Sequence, residues 1–163
     1  RDECDRAVAI LKKYDGSIYT LRDVSRDHLL KFGKHLDRVA YMRCKYVIME
    51  NERVEKAFQA LNSNNLKLFG ELLNQSHKGL SDYYEVSCDE LNFLVNVSKE
   101  SGQVLGSRMM GGGFGGCTIN IVAELNCDLV VSTILNSYKK EFGIGAQSYF
   151  VQIEDGCRVM DYN

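Results

Sequence analysis

Six of the chain's 14 glycines lie between Gly106 and Gly116, five of them within Gly111-Gly112-Gly113-Phe114-Gly115-Gly116. Glycine loses more conformational freedom on ordering than any other residue and brings no side chain to a core. So dense a run marks backbone that must turn with φ > 0 or come close to another group. β-formers flank it, with Val104 and Leu105 before and Ile119, Ile121 and Val122 after. The stretch therefore reads as strand, tight glycine loop, strand.

Three ligand-binding readings compete for the loop. Gly111, Gly113 and Gly116 spell G-x-G-x-x-G, but a dinucleotide site needs a helix directly after the loop. Residues 117–123 alternate like a strand, which excludes it. A protein-kinase glycine loop does lie between strands, yet it requires a strand lysine, an H-R-D loop and D-F-G. None is present, and the next lysine is Lys139. There remains a nest of backbone N–H groups facing a phosphate or polyol. It stands against a purely structural hairpin, whose needs five glycines in six residues exceed.

Upstream, apolar residues recur at helical spacing. Residues 2–13 place Cys4, Ala7, Val8 and Leu11 on one stripe, with Gly16 a left-handed cap. Ser25 caps a short helix carrying Leu29, Leu30 and Phe32, which Gly33 stops. A long helix spans about residues 35–61, its stripe including Val39, Val47, Val54, Phe58 and Leu61. The polar block Glu50-Asn51-Glu52-Arg53 interrupts that stripe. Asn51 falls on the buried side, and an internal hydrogen-bond network is the expectation there rather than a reach toward ligand. The next helix lines up Leu66, Phe69, Leu73, His77 and Leu80. His77 has no metal-ligand partner at helical spacing and reads as a satisfied core histidine. Asp82 and Glu85 are a carboxylate pair that acid–base chemistry could use, but bracing a loop is the expectation. Ser87-x-x-Glu90 reads as a capping box for a helix turning Leu91, Leu94, Val95 and Ser98 inward, ended by Gly102.

After the glycine loop, Asn126 or Asp128 caps a helix with Val130, Ile134, Tyr138 and Phe142 on its inner face. Residues 148–153 and 157–162 read as strands joined by an Asp155-Gly156 turn. The predicted fold is α+β: a helical first half, then β-β-α-β-β as a four-stranded antiparallel sheet with helices on one face. One domain over residues 1–163 suits this length. With 45% hydrophobic residues there is material for a core, and a net charge of −2 offers no footprint for nucleic acid. No apolar run is long enough to span a bilayer and no signal peptide is visible, so no membrane partner and a cytoplasmic location are expected. The six cysteines form no C-x-x-C pair and read as reduced thiols.

Gly106-Ser107-Arg108-Met109-Met110-Gly111-Gly112-Gly113-Phe114-Gly115-Gly116-Cys117-Thr118 closely resembles the third conserved motif of the galactokinases. These are sugar kinases grouped with homoserine, mevalonate and phosphomevalonate kinases. The resemblance extends over nearly the whole chain, in order and spacing. It includes Arg1-Asp2-Glu3-Cys4, Leu21-Arg22-Asp23-Val24, Glu50-Asn51-Glu52-Arg53-Val54, Asn74-x-Ser76-His77 and Asp82-Tyr83-Tyr84-Glu85-Val86-Ser87-Cys88 with Glu90-Leu91.

The resemblance implies a ferredoxin-like C-terminal domain of a two-domain enzyme that uses ATP and Mg²⁺ to phosphorylate galactose at its anomeric hydroxyl. It implies that Gly111, Gly112, Gly113, Phe114, Gly115 and Gly116 are a substrate- and phosphate-binding loop. It implies too that the catalytic and metal-binding residues lie on a missing N-terminal domain, so that no catalytic or metal residue is expected here and the chain alone is expected to be inactive. Met110 departs from the family's usual threonine and removes a hydroxyl. N-acetylgalactosamine kinases are near relatives, but tend to carry G-A-G-W-G-G in this loop. Galactokinase-like sugar sensors that act as transcriptional co-inducers are the alternative outside catalysis.

Overall fold

The computed structural model describes residues 1–153 and Gly156. Six α-helices, one β-hairpin and short single turns of 3-10 or π helix make up the regular structure of these residues. The helices are α1 (Asp2–Leu11), α2 (Arg26–Phe32), α3 (Arg38–Asn62), α4 (Leu66–Gly79), α5 (Asp89–Glu100) and α6 (Cys127–Phe142). The strands are β1 (Val104–Met110) and β2 (Cys117–Val122), paired antiparallel with Met110 opposite Cys117 and Ser107 opposite Asn120. A single π-helical turn, Leu80–Tyr84, links α4 toward α5. No helix among the described residues is long and apolar enough to cross a membrane.

Short polar side chains start three of the helices. Ser25 accepts from the His28 N–H at the head of α2, Asp37 from Ala40 at α3 and Asn65 from Leu68 at α4. Each satisfies an amide that the first helical turn would leave unpaired. Two apolar clusters follow. Ala7, Leu11, Ile18, Leu29, Ala40 and Cys44 are among the residues that join α1, α2 and α3. Tyr46, Leu80, Leu91 and Met109 join α3, α5 and β1 around the π turn. Phe93, Tyr138 and Phe142 fasten α6 to α5, with Phe93 edge-on to Phe142 at 5.3 Å.

The hairpin is seated by a close crossing of α4 over β1. A Cβ on Gly70 would run into the Leu105 carbonyl, and one on Gly106 into the Gly70 backbone. Only glycines let the two backbones approach this far. The edge of β1 turned away from β2 is then satisfied by α4 side chains. The Ser107 N–H donates to Asn74 Oδ1 at 3.0 Å and the Met109 N–H to His77 Nδ1 at 3.2 Å. A helix thus closes an edge that a strand would otherwise have to cover.

Several expectations need correction. The sheet has two strands among the described residues, not four. Residues 148–153 form no strand, and Tyr149, Phe150, Val151 and Ile153 are exposed. The partner expected for it, residues 157–162, lies outside the described residues, and the Asp155-Gly156 turn does so in part. Gly16 does not take the left-handed conformation; α1 ends instead through the Lys12 turn. Gly33 caps α2 in right-handed geometry and leaves room for the Tyr41 ring. The Ser87–Glu90 box does not form, because the Ser87 hydroxyl donates to Asn92 Oδ1 and Cys88 stands at the cap. The cysteines described are all free thiols.

Candidate functional site

Residues 111–116 join β1 to β2 as a loop whose backbone only glycine makes easy. Gly111, Gly113, Gly115 and Gly116 have φ of +83°, +87°, +139° and +96°, and Phe114 joins them at +59°. Four glycines therefore stand where an L side chain is strained. Gly112 alone among the loop glycines lies outside that region.

The inner side of the loop is docked. The Phe114 N–H donates to the Val86 carbonyl at 2.8 Å. A Cβ on Gly113 would clash with that carbonyl oxygen, falling 2.9 Å from its carbon and 3.0 Å from Met109 Cε. The outer side is open, for Cβ atoms on Gly111, Gly112, Gly115 and Gly116 would meet nothing within 4 Å. None of the loop amides other than Phe114 has a backbone acceptor among the described residues. Beside the loop lies a cleft of about 240 Å³, lined by Cys88 and Leu91 of the α5 start, Phe114, Gly116 and Tyr138. The Phe114 ring is 77% exposed, so it does not anchor the loop by burial. Loop amides free of a backbone acceptor and held by an inner tether can bind an anion or the hydroxyls of a polyol.

Behind β1 lies a polar cluster. Glu50 accepts from the Ser76 hydroxyl at 2.5 Å and pairs with Arg53, with the Arg108 guanidinium 3.7 Å away. It ties α3, α4 and β1 together, as the expected internal network does. The buried member is Arg53, however, and Asn51 is exposed to solvent. Tyr46, Glu50 and Arg53 are spaced i, i+4, i+7, so the helix turns this polar face inward and carries Val54, Phe58 and Leu61 outward.

His77 is the buried, hydrogen-bonded histidine the periodicity suggests. Burial, helped by the positive charges of Lys99 and Arg108, holds its pKa below the ordinary histidine value. Because Nδ1 accepts the Met109 amide, the neutral ring carries its proton on Nε2. Asp82 pairs with Lys78 and Glu85 with Arg43, so both carboxylates brace the turn. Among the described residues no group of three or more potential ligands could hold a metal ion.

Two parts of the site escaped the sequence. The Val86 carbonyl that receives the loop is backbone, and no residue type announces it. Arg43 sits in the apolar stripe of a long helix, where only the acids at Glu3 and Glu85 hint at a partner.

The chain matches the family GHMP kinases C terminal over residues 55–126. It is 41% identical over 160 residues to a galactokinase of Clostridium perfringens, an alignment covering 96% of this chain and 40% of that protein. It is 36% identical over 162 residues to a galactokinase of Roseiflexus sp., covering 99% and 41%. Among solved structures it superposes on Lactococcus lactis galactokinase complexed with galactose with a TM-score of 0.89 at 33% identity, covering 95% of this chain and 40% of that one. The chain thus spans about two fifths of the length of these relatives.

Proposed function

We propose, from the match of residues 55–126 to the GHMP kinases C terminal family, that this chain forms the C-terminal domain of an ATP-dependent galactokinase. The complete protein would convert galactose to galactose 1-phosphate. In this reading an N-terminal domain supplies the general base and the metal ligands, and this chain supplies the opposite wall of the cleft.

The observation that carries the reading is the loop 111–116, tethered on its inner side and open on its outer side. Phosphoryl transfer asks a protein mainly to position reactants and to neutralise charge. Amides fixed before the reaction stabilise the transferring group without reorganising, and there they contribute most. The backbone performs this task, so Met110 in place of threonine does not remove it. ATP would meet the same wall. Mg²⁺ would be held by residues beyond this chain. A cytoplasmic location belongs to the same reading. So does a ferredoxin-like extension of the sheet, which would add at the β2 edge, since α4 already closes the β1 edge.

The test is a steady-state assay of the complete protein with ATP and either galactose or N-acetylgalactosamine, following ADP release and the sugar phosphate. Galactose is the expected substrate, favoured by Gly112 and Phe114 in the loop. Turnover of N-acetylgalactosamine alone would move the protein to the neighbouring kinases. Binding of galactose and ATP without turnover would make it a sugar sensor.

A further inference from the structure

The loop does not hold itself. Its one backbone tether among the described residues is the Phe114 N–H on the Val86 carbonyl, and Val86 follows directly on the turn before it. That turn is unusual backbone. It consists of the π-helical residues Leu80–Tyr84 followed by Glu85 at φ +56°, a left-handed conformation for a side-chain-bearing residue. Such conformations persist only where surrounding contacts over-determine them.

Those contacts come from Arg43 of α3, which is only 8% exposed. Its Nη2 donates to Glu85 Oε2 at 2.5 Å, its Nη1 to the Tyr83 carbonyl and its Nε to Glu3 Oε2 at 2.8 Å. The guanidinium also lies 6.0 Å from the Tyr84 ring centroid. Two of the three hydrogen bonds grip residues 83 and 85. The third reaches the first turn of α1 and keeps the guanidinium from swinging away. The fork of donors is planar and rigid, so it fixes directions as well as distances. Val86 follows immediately, and its own N–H returns to the Leu80 carbonyl at 3.1 Å.

We infer that Arg43 is a positioning residue for the glycine loop: through the turn at residues 83–85 it aims the Val86 carbonyl at the Phe114 amide and so sets the direction of the open loop amides. Arg43 touches neither the loop nor the cleft beside it. The inference deepens the galactokinase reading, and only its kinetic arm rests on that reading.

The experiment compares Arg43→Gln, Arg43→Lys, Glu85→Gln and Glu85→Ala with a reference variant, Leu11→Ala, in the complete protein. Leu11 is fully buried in the other cluster, and its truncation lowers stability without touching the turn. The first readout is amide hydrogen exchange at Phe114, taken as a ratio to the exchange at Leu91 and Val95 in α5. In Arg43→Gln and Glu85→Ala the ratio is expected to rise at least about tenfold, the change for losing one net hydrogen bond's worth of protection. The Arg43→Gln/Glu85→Ala double variant should be no worse than either single one, because the two residues act as a unit. Lysine keeps the charge and loses the fork, so Arg43→Lys should rescue little, while Glu85→Gln keeps an acceptor and should stay near wild type. In the assay with ATP and galactose, kcat should fall roughly tenfold or more in Arg43→Gln, since small misplacements of positioning groups weigh heavily on rate.

A Phe114 ratio that stays at the wild-type value, or that rises equally in Leu11→Ala at matched loss of Tm, overturns the inference. Should Arg43→Gln fail to fold, the Arg43→Lys and Glu85 variants carry the same comparison. A wild-type protein without kinase activity would remove the galactokinase reading and leave the exchange result to decide the role of Arg43.

Discussion

Gly112 and Gly113 are neighbours with opposite constraints. Gly113 sits at φ +87° against the Val86 carbonyl, so any side chain there is both strained and obstructed. Gly113→Val should cost about 1–3 kcal/mol in local strain and release the Phe114 tether. Thermal unfolding and kcat/KM should therefore fall together. Gly112 has no left-handed φ, and a methyl added there would meet nothing within 4 Å. Gly112→Ala should leave stability within about 0.5 kcal/mol of wild type, yet place a methyl on the open side of the loop. In the complete protein, kcat/KM for galactose should drop roughly tenfold or more if the outer amides meet the reacting group. Unchanged kinetics for Gly112→Ala would make the loop a structural hairpin. At His77 the prediction concerns pH. Its folded pKa lies below the ordinary value of 6.5, so the unfolded chain takes up the proton first as pH falls. The contribution of the buried neutral ring is fully present above about pH 6.5 and declines as pH falls toward the folded pKa. Protonation would also break the Met109 N–H bond to Nδ1. Thermal unfolding of the wild type should therefore show Tm decreasing from about pH 7 to about pH 5, and His77→Gln should flatten that slope.

The crossing of α4 over β1 is what turns a helix and a hairpin into a platform for the loop. Gly70 and Gly106 allow it, and Asn74 and His77 exploit it by capping the Ser107 and Met109 amides. Gly70→Ala pushes a methyl into the Leu105 carbonyl, so α4 must lift. Both edge bonds then lengthen, and the loss should reach about 1–3 kcal/mol or more, since neither partner is a side chain that can move aside. A clear drop in Tm by calorimetry checks this, and a near-wild-type Tm would show that the crossing is slack. The elements themselves were largely legible. Helical periodicity located α1, α3, α4, α5 and α6, and the glycine run between β-formers located β1, the loop and β2. The misses have one physical origin. A single sequence shows which residues are apolar, and packing decides which apolar face is covered. On α3 the row Val54, Phe58 and Leu61 is as periodic as any core stripe, yet these side chains are 61%, 63% and 48% exposed. The helix buries the polar Glu50–Arg53 face against α4 and β1 instead. Likewise the Ser87–Glu90 spacing fits a capping box, but Asn92 takes the Ser87 hydroxyl first. The candidate loop was legible as residues, while its anchor at Val86 was not, because a carbonyl leaves no trace in composition.

At the scale of the whole molecule, this chain corresponds to about two fifths of the galactokinases it resembles. That division makes a sharp prediction about what the chain can do by itself. The tether of the loop is internal: Phe114, Val86, Glu85, Arg43 and Glu3 all belong to this chain. The purified chain should therefore keep the loop in place, seen as a Phe114 amide that exchanges as slowly, relative to Leu91, as it does in the complete protein. Preformed donors do not suffice for transfer, however. In the proposed galactokinase reaction the sugar hydroxyl must lose a proton, and the phosphates need a cation and a cradle of their own. Among the described residues Asp82 and Glu85 are committed to Lys78 and Arg43, and no metal-ligand cluster exists. Incubated with ATP, Mg²⁺ and galactose, the chain should release no ADP above the blank in a coupled assay that readily detects the complete protein. A slow Phe114 amide without turnover is the outcome the division of labour requires. Robust turnover would place a base and a phosphate site within these 163 residues and overturn it. A fast Phe114 amide in the isolated chain, slow in the complete protein, would mean that the loop takes its shape from contacts beyond this chain, and that the Arg43 turn is not what sets it.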